Sequence, residues 1–398
     1  MILSDSLEKT IFFTENLKLS HNIYYVMLTG AGAFMKKKIQ LFFTFAFLVV
    51  GFVSCKKDNV SSITAKLVTD GLGINDKSYN ASAWEGMLRF YGDSVGDEKN
   101  FGILYDVAIC NERGNYNSDL RAISDENPDL VIVTGFAFTE AILNISNVYP
   151  GQKFLMIDGS NVDAANVQNY LFAAEEGSYL VGLIAAEQAL AEGVQNPKFG
   201  FIGGMENNTI TDFEIGYVQG IRSVIPDAEV YEFYTDDWSR PALAAAKAKV
   251  WYENGVYAIY TAAGMCGNGT IAEAVSHRKA GKNVWAIGVD QDQFAEGVYG
   301  VGKSAVLTSM IKRVDNAIEI GLNSVQTNTF KSGSTILALK DKAISFSTAN
   351  TELSENAVKH AYAAQSEIIS GKLNVVATYK DSAAAEAIVK TINRQMHK

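Results

Sequence analysis

The stretch LVTDGLGINDKSYNASAW, residues 67–84, holds the pattern on which the fold turns. An apolar run, Leu67-Val68-Thr69, stops at Asp70, and Gly71 and Gly73 let the backbone turn. Asp76, Lys77, Ser78, Tyr79, Asn80 and Trp84 then follow in quick succession at the start of a helix-period segment. This reads as a strand, a polar turn at its carboxyl end, and a helix. Such crowding at one strand end suits a catalytic loop, a phosphate cradle, or a clamp for a sugar or base.

The same phrase recurs along the chain. Short β-branched runs lie at 63–69, 101–109, 129–135, 153–158, 169–174, 198–204, 228–235, 257–264 and 284–290, with amphipathic segments between them at 79–92, 137–148, 175–191, 211–225, 240–254 and 268–280. Strand–helix alternation predicts an α/β protein with parallel sheets and helices on both faces. More strands than one sheet comfortably holds predict two doubly wound lobes. Open parallel sheets bind ligands beyond the carboxyl ends of their strands. Those ends carry Asp70, Gly135-Phe136, Asp158, Gly203-Gly204-Met205, Gly264-Met265-Cys266-Gly267 and Asp290. Two lobes facing each other would enclose one site among them.

A length of 398 residues also favours two domains. The N-terminus is set apart. Met35-Lys36-Lys37-Lys38 is followed by an apolar run too short for a comfortable membrane span, and then by Cys55, which is the order of a secretory signal. Met35 is the expected start, with residues 1–34 an upstream extension. Phe52-Val53-Ser54-Cys55 resembles a bacterial lipobox, with Phe52 where Leu is usual. Residues 35–54 are expected to be a lipoprotein signal peptide, Cys55 the lipidated residue, and 55–62 a polar tether. Removing residues 1–54 takes five Lys/Arg and three Asp/Glu from totals of 34 and 44, leaving 29 and 41 and a formal charge of −12. That acidity argues against nucleic-acid binding. Cys110 and Cys266 sit beside strand ends and read as buried thiols, and no Cys/His cluster has metal-ligand spacing.

No motif calls for catalysis. AAGMCGNGT (262–270) follows a strand and opens a helix, but it is out of register with the dinucleotide G-x-G-x-x-G pattern, and no phosphate-loop motif follows a strand. Either a tight turn or backbone amides touching a ligand oxygen explains it. There is no G-x-S-x-G elbow and no Ser/His placement that suggests a triad. Asp236-Asp237 and the Asp290/Asp292 pair can equally accept hydrogen bonds from sugar hydroxyls or cap helices. No cofactor is implied.

Taken together, LVTDGLGINDKSYNASAWEG (67–86), GFAFTEAI (135–142), FAAEEGSYLVG (172–182), FGFIGGMENNTITDFEIGYVQGI (199–221), AAGMCGNGTIAEA (262–274), GVDQDQ (288–293) and LTSMIKRVDNAI (307–318) resemble the basic membrane protein family, the nucleoside-binding lipoproteins of bacterial ABC importers. The resemblance implies a type I periplasmic-binding-protein fold, two Rossmann-like lobes joined by three crossings near 170–174, 291–304 and 328–345. One lobe would hold 63–170 with 304–328, and the other 171–291 with 345–398. It further implies a nucleoside cargo, a purine favoured, an ABC permease as partner, an extracytoplasmic location at the membrane, and no chemistry. A monomer is expected.

Carried over by position, Asp76 and Asn80 would bind the base edge, and Tyr79, where the family has Phe, would stack on the base. Asp290 would bind the ribose hydroxyls with the Gly264 and Gly288 backbones, and Lys312 would complete the sugar end. Asp158 would lie near the ligand. A second stacking ring is expected from Phe136, Phe138, Phe213 or Tyr260. Tyr79 or Trp84 could instead anchor the following helix, and Glu175, Glu176 and Tyr179 would serve the interlobe helix. A nucleoside- or sugar-processing enzyme, and a sensing surface lipoprotein, are the rival readings of the same residues.

Overall fold

The structure, a computed structural model, describes residues 62–394. The expected upstream extension, the signal segment, Cys55 and the tether up to residue 61 lie outside the described residues.

The chain begins with β1 (Ala65–Asp70), α1 (Tyr79–Tyr91), β2 (Tyr105–Cys110), α2 (Tyr116–Asp125), β3 (Leu130–Thr134), α3 (Thr139–Val148), β4 (Phe154–Ile157) and β5 (Val167–Phe172). It continues through α4 (Ala174–Ala191), β6 (Lys198–Gly203), α5 (Asn208–Val224), β7 (Glu229–Tyr234), α6 (Pro241–Glu253), β8 (Val256–Ala262), α7 (Cys266–Lys279) and β9 (Trp285–Asp290). A hairpin of β10 (Val298–Gly300) and β11 (Lys303–Ser304) precedes β12 (Val306–Lys312), α8 (Val314–Gln326), β13 (Gly333–Leu337) and β14 (Ile344–Phe346). The last elements are α9 (Glu355–Ile369), α10 (Ser382–Val389) and β15 (Asn393–Arg394).

Two sheets result. The first runs β2-β1-β3-β4-β5-β13 and the second β15-β7-β6-β8-β9-β12-β14. Strand pairing within both is parallel except between β12 and β14. Each sheet therefore reverses its strand order once, between β1 and β3 in the first and between β6 and β8 in the second. Helices cover both faces, so the inner strands are apolar without alternation: every residue of β3, LVIVT, and of β8, VYAIYTA, is buried. The largest apolar cluster runs from Leu67 and Trp84 in the first lobe to Tyr260 and Trp285 in the second.

Local signals set the helix ends. The Asn207 side chain accepts the Ile210 amide at 3.3 Å to start α5, and Pro241 occupies the first turn of α6. α1 stops at Gly92, whose left-handed backbone returns its N–H to the Leu88 and Arg89 carbonyls. Trp84 is buried and packs edge-on against Tyr105, 5.5 Å between ring centres, so it anchors α1 in the core.

The structure corrects the expected course of the middle crossing. Residues 291–305 do not pass between the lobes. They hold the hairpin that carries the chain back to the amino end of the second sheet, since β12 must enter parallel to β9 and a parallel strand needs such a return. β12 thus belongs to the second sheet rather than to the first lobe, and the chain crosses at Arg313 before α8 packs on α1. The segment 328–345 also holds more than a connection, because β13 within it pairs with β5 in the first sheet.

α4 is buried around most of its circumference, and α5 lies against it. Contact is close because Gly220 faces the α4 backbone; a Cβ there would overlap the Tyr179 carbonyl and lie 2.8 Å from the Leu183 nitrogen. Gly220→Ala is expected to push the helices apart and destabilise the fold by about 1–3 kcal/mol. Urea unfolding should show a lower midpoint with an unchanged slope. Gly151→Ala, at a position with open space, should leave the midpoint where it is.

Candidate functional site

Both reversals of strand order open onto one cavity lined by both lobes, the place where a ligand site is expected in such a fold. The first lobe contributes Asp70 at the end of β1, Thr134, Gly135 and Phe136 at the end of β3, Asp158 just past β4, and Asp76, Tyr79 and Asn80 at the start of α1. The second lobe contributes Ala262 and Gly264 after β8, Asp290 closing β9, Lys312 closing β12, Trp238 from the loop after β7, and Ile210 and Phe213 from α5.

One cluster in the lining is built around Lys312. Its side chain is 3% exposed, and its ammonium pairs with an Asp158 oxygen across the lobes. That ammonium also lies 4.8 Å from the ring centres of Tyr79 and Phe172 and 5.7 Å from that of Phe213, a cation–π box. The other Asp158 oxygen, Oδ1, is buried without a partner. Asp290 accepts a short hydrogen bond from Ser78 Oγ of the opposite lobe. Asp158 and Asp290 both adopt left-handed backbone, φ 61° and 66°. For a non-glycine residue this costs on the order of 1–2 kcal/mol, and such strain gathers at functional sites.

A second group in the lining joins two further rings to a side-chain amide and two carboxylates. Phe136 and Trp238 meet across the cleft with ring centres 6.1 Å apart. Asn80 donates to Asp70 Oδ1 at 3.1 Å and accepts from Thr134 Oγ1 at 2.9 Å, so its amide orients Asp70. Asp70 Oδ1 also accepts the Leu72 amide at 3.2 Å. Asp76 stands in the wall, yet its carboxylate takes the amides of Ser78 (3.0 Å), Asn80 (2.9 Å) and Ala81 (2.9 Å) and serves as the cap of α1.

Burial sets the protonation behaviour. Asp290 is pushed up to about 6; burial outweighs the pull of the Lys312 ammonium and the Ser78 hydroxyl, and the charges of Asp76 and Asp158 add to the rise. Burial likewise raises Asp70 and Asp76, whose backbone hydrogen bonds oppose the shift. Tyr79 is held well above the usual phenol range, by burial first and then by Asp158, and its hydroxyl donates to the Ile157 carbonyl at 3.2 Å.

A family model described as ABC transporter substrate-binding protein PnrA-like, or Bmp, matches residues 63–378. The chain belongs to the Bmp family. Among its Bmp-type relatives, the ABC transporter nucleoside-binding protein BmpA of Lactococcus lactis is 32% identical over 326 residues, covering 79% of this chain and 89% of that one. The CD4+ T-cell-stimulating antigen of Listeria monocytogenes is 31% identical over 319 residues, 78% and 87% of the two chains. Basic membrane protein B of Borreliella burgdorferi is 30% identical over 295 residues, 72% and 82%. In fold, the chain is similar to the solute-binding protein of an ABC transporter system from Aeropyrum pernix, with TM-score 0.71, 24% identity, and 82% and 96% of the two chains covered.

Of the eight ligand positions expected from sequence in this Bmp chain, seven line the cavity and Gly288 does not. Gly288 lies buried within β9, where a side chain would run into Ser309 and Gln293, so its backbone is not a cavity wall. Tyr260 is also core, packed among Phe201, Phe213 and Tyr217. Phe138 reaches the cavity but is stacked on Tyr116, 3.9 Å between centres. Asp70, which reads from sequence only as a strand end, and Trp238, which carries no local signal beside the acidic pair Asp236-Asp237, both line the cavity. Asp237 itself caps the turn, accepting the Ser239 and Arg240 amides at 2.6 and 3.1 Å. Cys110 and Cys266 are free and buried, and among the described residues no group of His, Cys, Asp and Glu could hold a metal.

Because the folded-state value of Asp290 lies above that of an unfolded aspartate, this group favours folding when protonated, fully below about pH 4. The contribution is lost as pH rises through about 6. Asp290→Asn tolerates the left-handed backbone and should therefore raise the melting temperature of the ligand-free protein at pH 7.5 by a few degrees, an effect on the order of 2 kcal/mol. The gain should shrink to nothing near pH 4, as differential scanning calorimetry across that range will show.

Proposed function

We propose that the cavity binds a nucleoside, a purine favoured, and that the protein presents it to an ABC permease outside the cytoplasmic membrane. Family membership supports a substrate-binding role rather than an enzymatic one. The nucleoside follows from one cavity lining that combines the Phe136–Trp238 aromatic contact with the buried Lys312–Asp158 pair and Asp290, groups suited to a base and to sugar hydroxyls, and this is the observation that carries the reading. It is strengthened by the name of the Lactococcus lactis relative.

In this reading the base lies against Phe136 and Trp238, with the free oxygen of Asp70 accepting a donor on its edge. Asn80 acts by orienting Asp70, and Asp76 acts as the helix cap that brings Tyr79 and Asn80 to the wall. The ribose lies at Asp158, Lys312 and Asp290, with the Gly264 backbone beside it. Four carboxylates to one ammonium disfavour an anionic ligand, so a nucleoside is taken and its phosphate esters are refused. Lipidation at Cys55 would tether the receptor near its permease, and the protein acts as a monomer.

Titration calorimetry with inosine, guanosine, adenosine, uridine and cytidine should give tight binding of at least one, abolished by Asp290→Ala; five flat isotherms would sink the reading. Trp238→Ala should weaken the best ligand by about 1–3 kcal/mol, the usual value of base stacking, and its 5′-monophosphate should bind at least about 100-fold more weakly than the parent, the effect of a strong opposing charge contact. Cys55→Ser should shift the protein from the membrane fraction to the soluble one.

A further inference from the structure

What Gly288 makes room for is the side chain of Gln293. This residue is 3% exposed and every polar atom of its side chain is engaged. Its Oε1 accepts the Val289 amide at 3.0 Å, its Nε2 donates to the Lys77 carbonyl at 3.0 Å, and its own N–H donates to Ser309 Oγ at 3.1 Å. The Val289 N–H settles which end of the amide is oxygen, so the NH₂ group must face Lys77. Gln293 is carried on the second lobe and Lys77 on the first, and the bond between them crosses the cleft.

We propose that Gln293 is a positioning residue that latches the closed form, holding the Lys77 carbonyl so that the segment 76–78 is fixed where Tyr79 and Asn80 enter the cavity. Lys77 has φ 58°, a left-handed conformation uncommon for a lysine. Its neighbours are caught from the same side: Asn268 Nδ2 reaches the Asp76 carbonyl at 3.2 Å, and Ser78 bonds to Asp290. The Lys77–Glu296 ion pair also spans the lobes, but its lysine is 57% exposed and such pairs contribute little. Gln293 differs in being buried, in having its amide aimed by Val289, and in standing behind the cavity wall rather than in its lining. When the lobes part, its NH₂ group and the Lys77 carbonyl each exchange the other for water. The bond therefore belongs to the closed form alone and retards opening.

The inference rests on the cavity being a site that closes on a ligand, and the test separates the two. Stopped-flow fluorescence with inosine as probe should show koff raised about 3–10-fold by Gln293→Leu, the loss of one net hydrogen bond, with kon within about twofold of wild type. Gly288→Ala puts a Cβ onto Ser309 Oγ and 2.9 Å from Gln293 Oε1, so it should raise koff similarly. The double variant should be no faster than the worse single one, because both act on one bond. An unchanged koff, or a kon reduced as much as koff is raised, overturns the latch. If wild type binds no nucleoside, hydrogen exchange of residues 70–84 in the ligand-free protein still decides. Faster exchange in Gln293→Leu supports the latch, and identical exchange overturns it.

Discussion

The site depends on one buried ammonium. Lys312 is the last residue of β12, and Arg313 after it starts the passage between lobes. An unpaired charge buried to that depth would be prohibitive, and a paired one is tolerated only with good geometry and satisfied neighbours. Asp158 supplies the partner from the first sheet, Asp290 lies close enough from the second to feel its charge, and three aromatic rings surround it. The strained backbones of Asp158 and Asp290 are explicable on these terms. Each residue gives up a comfortable φ to bring its carboxylate to the same place.

This arrangement ties ligand binding to lobe position. Lys312 and Asp158 sit on opposite lobes, as do Asp290 and Ser78, and as do Trp238 and Phe136. A ligand that satisfies the remaining lone pairs, Asp158 Oδ1 among them, interacts fully only when the lobes are together. Differential affinity for the closed form is what permits a ligand to shift the population toward it. Asp290, whose carboxyl is pushed up to about 6, has the opposite tendency when ionised, since the cost of its burial outweighs the Lys312 charge and the Ser78 hydrogen bond. The cleft is thus less stable empty than filled, a condition suited to a receptor that must also release its cargo.

Much of this was legible in the sequence. The alternation of apolar strands and amphipathic helices specifies parallel sheets, and the position of Asp70, Asp158, Gly264 and Asp290 at strand ends specifies the cleft, because chain direction alone brings those ends together. The less legible parts share a cause: they depend on partners distant in sequence. Asp76 looks like a ligand acceptor until its three amide donors are seen, and Gly288 looks like a ligand contact until Gln293 is found filling its space. LTSMIK could not be assigned to a sheet without knowing that the hairpin before it turns the chain back. Trp238, in an acidic turn after β7, gave no local sign that it faces Phe136 from across the cleft.

The central claim, that the charged cluster built on Lys312 and the aromatic contact of Trp238 with Phe136 together select an uncharged nucleoside, is tested most directly by identifying what the protein carries. Native mass spectrometry of the protein purified from cells, followed by release and fragmentation of the bound molecule, should yield a base and a pentose with no phosphate. Release of a nucleotide, an amino acid, or a sugar lacking a base would contradict it.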